Sequence, residues 1–178
     1  MRRRNQFTQI VLVLLVSITA TAASKPRGQQ RKFQLSKFDN FGCQAKGRVQ
    51  DCSGKIMQEI LAGGKSSIPI LISQLTDTGR TKAPIEDYWG YTSSGDVAYI
   101  VLTDLFLDAD WKTFNMPDVP DWKIVSKGCD GAAEDCWRAY LKKHGRKSVQ
   151  QAWLRAWSLW KDRVYWESSA RCFRISKK

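Results

Sequence analysis

Three features of the sequence predict an all-α domain, an irregular array of about five helices. Apolar residues recur at helical spacing along several stretches of the chain. Gly-Gly, Gly and Pro break the gaps between those stretches. The largest apolar surface is an indole stripe beyond Ser148, where Trp153, Trp157, Trp160 and Trp166 are four of the chain's eight tryptophans. One or two disulfides are expected to staple the array.

The elements follow in order. Arg2, Arg3 and Arg4 form a basic leader, Ile10 to Ile18 an apolar run, and Ala20 to Ala23 a small-residue cleavage zone. Residues 1–23 therefore read as a signal peptide, with an apolar run too short to span a bilayer comfortably. The mature chain is expected to be soluble and exported, to the periplasm or beyond. Residues 24–38 carry five basic and no acidic side chains without periodicity, and read as a flexible extension. Residues 39–178 are expected to form a single domain.

Phe38 to Val49 reads as a loop. Ser53 to Ala62 is a short helix, with Ser53 as its cap, Ile56, Ile60 and Leu61 on its apolar face, and Gly63-Gly64 ending it. Ser66 or Ser67 then caps a second helix that has Pro69 in its first turn and Ile68, Leu71, Ile72 and Leu75 as its apolar set. Together, KIMQEILAGGKSSIPILISQLTDT (Lys55 to Thr78) resembles a HEAT-type repeat unit: helix, tight turn, and an I-P-x-L-I-x-x-L second helix ending in Asp. A fainter echo is GDVAYIVLTDLFLD, Gly95 to Asp108. The resemblance implies a helical scaffold and no activity.

Ser93 and Asp96 make a capping-box start for a helix that is apolar almost all round through Phe106, which places it centrally. Asp108 to Lys127 reads as an irregular crossover, with a short extended piece at Lys123 to Val125. A helix capped by Asp130 runs to about His144 and stops at Gly145. The last helix is expected to start at Ser148, in a capping box with Gln151, and to run as far as Arg171. Val149, Ala152, Trp153, Ala156, Trp157, Trp160 and Val164 fall in an arc of roughly 140° on such a helix.

The five cysteines all lie in the mature chain. Pairing across the shortest loops joins Cys43 to Cys52 and Cys129 to Cys136, with Cys136–Cys172 the competing bridge. For Cys129 to reach Cys136 it must lie outside the helix, because seven residues of helix separate them by about 10 Å. Without a C-x-x-C and with His144 as the single histidine, the sequence has no zinc pattern, and no cofactor is implied.

Charge is divided unevenly. Residues 39–136 hold nine basic and 15 acidic side chains, and residues 137–178 hold 12 basic and two acidic. The basic helices can dock on the acidic part, or present a cationic face to an anionic partner. Nucleic acid is disfavoured by export and by the lack of a recognition motif.

Chemistry has few candidates. His144 stands in the last turn of a basic helix, where a cation is favoured by the helix dipole. No nucleophile-elbow, P-loop or dinucleotide fingerprint is present. Glu86, with Asp87 or Asp96, is the carboxylate set from which a small lysozyme-like glycan hydrolase could be built. Tyr88, Trp89 and Tyr91 form the sharpest binding cluster, aromatic rings on a loop suited to stacking or anchoring. Arg155, Lys161 and Arg163 could meet anionic headgroups if the indole helix lay on a membrane surface. The leading expectation is a non-catalytic interaction module for a protein or an anionic envelope polymer. Its recognition surface would be the Tyr88–Tyr91 loop and the basic C-terminal face. The hydrolase and the membrane-active protein are the alternatives.

Overall fold

The structure, a computed structural model, describes residues 32–38, 48–81 and 92–177. The helices are α1 (Lys55–Gly63), α2 (Ser67–Gln74), α3 (Ser94–Phe106), α4 (Trp122–Val125), α5 (Ala133–His144) and α6 (Arg146–Trp160). A two-stranded antiparallel hairpin, β1 (Val164–Glu167) and β2 (Cys172–Ile175), follows them. The fold is thus mostly helical with a small sheet.

α3 is the axis. Every one of its 13 residues is buried, as its continuous apolar run requires. Ser93 starts it as the sequence predicts: its Oγ accepts from the Asp96 N–H at 3.2 Å, and Asp96 accepts from the Ser93 N–H at 2.8 Å. Such a reciprocal cap contributes about 1 kcal/mol. α2 lies along α3 and also meets α6, while β2 covers another side of α3. The approach of α2 to α3 is close enough to demand glycine at position 95. A Cβ there would stand 2.6 Å from the Leu75 carbonyl oxygen.

α1 and α2 form a helical hairpin around a single tight turn at Gly64–Ser66, with Gly64 at φ 51°. Neither helix is capped by a serine side chain. Gly54 occupies the cap of α1, and the Ser67 hydroxyl donates back to the Ile60 carbonyl at 2.7 Å, tying the two helices together.

The indoles do serve as packing between elements, in part. Trp153 is fully buried, 5.8 Å from Phe106 and 6.3 Å from Phe114. Trp137 of α5 stacks on Tyr99 of α3 at 3.8 Å, and Trp122 meets the same ring edge-on at 5.1 Å. The Tyr99 hydroxyl donates to the Pro120 carbonyl at 3.1 Å, which fastens the crossover to α3.

Several expectations are corrected. The last helix starts at Arg146, with Gly145 before it, and stops at Trp160. Ser148 therefore lies inside it. Residues 164–171, expected to continue the helix, instead form β1 and the turn that leads to β2, so Trp166 lies on a strand. β-Branched and aromatic side chains at Val164, Tyr165 and Trp166 favour that outcome, and Val164, Cys172 and Phe173 become buried by it. Lys123 to Val125 is helical within α4, whose cap is Asp121, a 2.9 Å acceptor for the Ile124 N–H. α5 begins at Ala133, so Asp130 is not its cap.

The basic extension is also not featureless at its end. Phe33, Leu35 and Phe38 are buried around a single turn at Leu35–Lys37. The Gln74 side chain binds the Phe33 backbone on both sides, accepting at 3.1 Å and donating at 2.8 Å.

Cys129 and Cys136 are bridged with a Cα separation of 5.7 Å, Cys129 lying outside α5. Cys52 is also disulfide-bonded. Cys43, which the short-loop argument assigns to it, lies outside the described residues. Cys172 is free and buried, which removes the Cys136–Cys172 alternative.

Candidate functional site

Of the carboxylates proposed for catalysis, Glu86 and Asp87 lie outside the described residues, as do Tyr88, Trp89 and Tyr91. Asp96 is described, and it is fully engaged. One oxygen accepts from the Ser93 N–H at 2.8 Å and the Ser93 hydroxyl at 2.7 Å. The other accepts from the Trp137 indole at 2.8 Å and Arg146 Nη2 at 2.6 Å. Burial alone would raise this carboxyl, but the Ser93, Trp137 and Arg146 contacts outweigh it and hold the pKa below the ordinary aspartate value. As the ionised partner of a Glu86 acid, Asp96 would need a free oxygen to meet a sugar or a water, and both of its oxygens are already taken by these four donors. It instead joins the start of α3 to α5 and α6.

Asp104 and Arg48 form the other internal charged cluster, both buried at 3.1 Å. Gln50 donates to Asp104 through its backbone N–H at 3.1 Å and its side-chain amide at 3.2 Å. Burial pushes this carboxyl up, and Arg48 and Gln50 pull against it. Arg48 also donates to the Leu107 carbonyl at 2.6 Å, so the cluster closes the C-terminal end of α3. Asp108 accepts from the Lys112 and Thr113 N–H groups at 3.0 Å each, ordering a turn.

His144 is exposed in the last turn of α5, its ring 4.4 Å from Tyr140. No cluster of metal-ligating side chains occurs among the described residues. No described helix is long and apolar enough to cross a membrane.

Two surfaces remain. The first is cationic. Arg155 is exposed on α6 and Lys161 is exposed just after it. Arg163 is committed to the fold: its Nε donates to the Ser176 carbonyl at 2.9 Å and its guanidinium covers the Trp160 ring at 5.0 Å. Lys142 and Lys143 at the end of α5 and Lys147 at the start of α6 are exposed as well. None of these five makes an ion pair with a described residue. Lys147 and Arg155 are eight residues apart on α6, about 12 Å along its axis and about 80° around it.

The second surface is a groove of about 470 Å³ between β1 and the α1–α2 turn. Ile60, Leu105 and Phe173 form its buried floor. Tyr165 and Trp166 line it and are 43% and 40% exposed. Lys65 and Arg171 supply its charged side chains. These residues are not legible as a site in the sequence, where the helical register runs on to Val164 and the helix is expected to reach Arg171. The available signal is the pair of short runs VYWE and CFRI around a four-residue break, the pattern of a β-hairpin.

Comparison with protein families, with curated proteins and with solved structures finds no match to this chain.

Proposed function

We propose that this is an exported, non-catalytic interaction module that binds an anionic polymer of the cell envelope through its α5–α6 face. The observation that carries the reading is how the cations of residues 137–178 are used. Arg146 and Arg171 are spent on Asp96 and Asp51, which docks basic on acidic parts, and Arg138 is spent on Glu134 within α5. Lys142, Lys143, Lys147, Arg155 and Lys161 are left exposed between the end of α5 and the turn after α6, without an ion pair to a described residue.

Cations held this way near a polyanion contribute about 1 kcal/mol each and are screened within about 10 Å at 0.1 M salt. The engagement of Asp96 supports a non-catalytic role, since its lone pairs are already filled by four donors. The α1–α2 hairpin fits the same picture as a single HEAT-type unit serving as scaffold.

The test is a titration of the mature chain with a glycerol-phosphate polymer at several salt concentrations. The expected result is saturable binding that weakens steeply as salt rises. Binding that is absent at low salt, or unchanged by salt, overturns the reading.

A further inference from the structure

We propose that the groove between β1 and the α1–α2 turn binds a small amphipathic anion, an acyl chain ending in a carboxylate. This goes beyond polymer binding, because Lys147 and Arg155 do not line the groove.

The volume, about 470 Å³, falls within the 300–1,000 Å³ of typical small-molecule sites. The floor is apolar, with Ile60 at 1%, Leu105 at 2% and Phe173 at 3% exposure. Above it, Trp166 is held edge-on to Phe173 at 5.0 Å, so its ring is a fixed wall and not a loose surface group. Large rings left this open above an apolar floor leave apolar surface for a ligand to cover.

Charge decides the other end of the ligand. Lys65 is exposed at the α1–α2 turn and makes no ion pair with a described residue. Arg171 is on the far side, anchored to Asp51. Ammonium and guanidinium groups only donate, so they match an acceptor-only head such as a carboxylate. A sugar fits less well. Its hydroxyls need acceptors as well as donors, and among the lining side chains only the Gln50 amide oxygen and the Tyr165 hydroxyl can accept. Lys65 thus selects the head, and the floor with Trp166 selects the chain.

The experiment is calorimetric titration of the mature chain with dodecanoate below its micelle concentration. Dodecyltrimethylammonium supplies the same chain with the opposite charge, and a neutral oligosaccharide supplies the competing chemistry. Dodecanoate is expected to bind one-to-one with a Kd of about 10–100 µM. The cationic analogue should bind at least tenfold more weakly. Trp166→Ala should weaken dodecanoate tenfold or more, and Lys65→Glu fivefold or more. Lys65 is exposed, so Lys65→Glu keeps the test decisive if Trp166→Ala unfolds the hairpin. The proposal is overturned by no saturable dodecanoate binding, by equal binding of the cation, by binding of the sugar alone, or by indifference to Lys65→Glu. Lys147→Glu/Arg155→Glu should leave dodecanoate binding intact, which separates this site from the polymer face.

Discussion

Four donors converge on the Asp96 carboxylate, and its chemistry makes a directional forecast. Its folded pKa lies below the ordinary value, so on acidification the unfolded chain takes up this proton first. The stability it contributes is present above about pH 3.9, the unfolded value, and is lost as pH falls through the folded one. In urea unfolding between about pH 6 and pH 2, Asp96→Asn should therefore be less stable than the parent at pH 6, and the two should converge in acid. A constant gap across that range would mean the carboxylate is not held ionised by its partners.

Trp153 makes a second forecast at the same scale. It is completely buried between Phe106 and Phe114, so Trp153→Ala should cost about 3–5 kcal/mol. Its indole N–H has no acceptor among the described residues, so Trp153→Phe should cost distinctly less. Chemical denaturation reads both. Cys172, buried and with its thiol pushed up by that burial, should resist alkylation in the folded protein and react once denatured. Rapid alkylation under native conditions would place the thiol at the surface.

Among elements, α3 is the most legible in the sequence and the C-terminal hairpin the least, for physical reasons. The Ser93–Asp96 box fixes where α3 starts, and a run from Val97 to Phe106 with scarcely a polar interruption can only be central. The hairpin is hidden because Val164 happens to continue the helical register of Trp157 and Trp160. Its turn, Ser168 to Arg171, contains no Gly, Pro or Asn, and Arg171 itself takes the left-handed conformation at φ 50°. The burial of Phe33 to Phe38 is masked by neighbouring basic residues, and the Gln74 side chain that holds it is 41 residues away. Of the site, Arg155 and Lys161 are legible as surface cations, whereas the groove needs the hairpin to exist first.

α2 and α3 approach closely at Gly95. Gly95→Ala would drive its methyl into the Leu75 carbonyl and should cost about 1–3 kcal/mol, seen as a lower denaturation midpoint with an unchanged slope. A neutral outcome would show that α2 and α3 can separate freely.

At the scale of the whole molecule, charge is sorted by use. Basic side chains that are paired or buried knit distant segments together, as Arg48 does with Asp104 and Arg146 with Asp96. Those on the α5–α6 face knit nothing to the described fold. A polyanion would meet that face first, while net charge alone would attract it to any basic patch. Position and net charge can be separated by two double variants of equal net charge. Lys147→Glu/Arg155→Glu reverses the α6 face, and Lys123→Glu/Lys127→Glu reverses two exposed lysines around α4. The deciding measurement is the affinity of both for the glycerol-phosphate polymer at one low salt concentration. The account predicts a loss of about tenfold or more for the α6 variant, from about 1 kcal/mol for each cation removed, and a much smaller loss for the α4 variant. Equal losses in the two would contradict it, leaving bulk charge and no face.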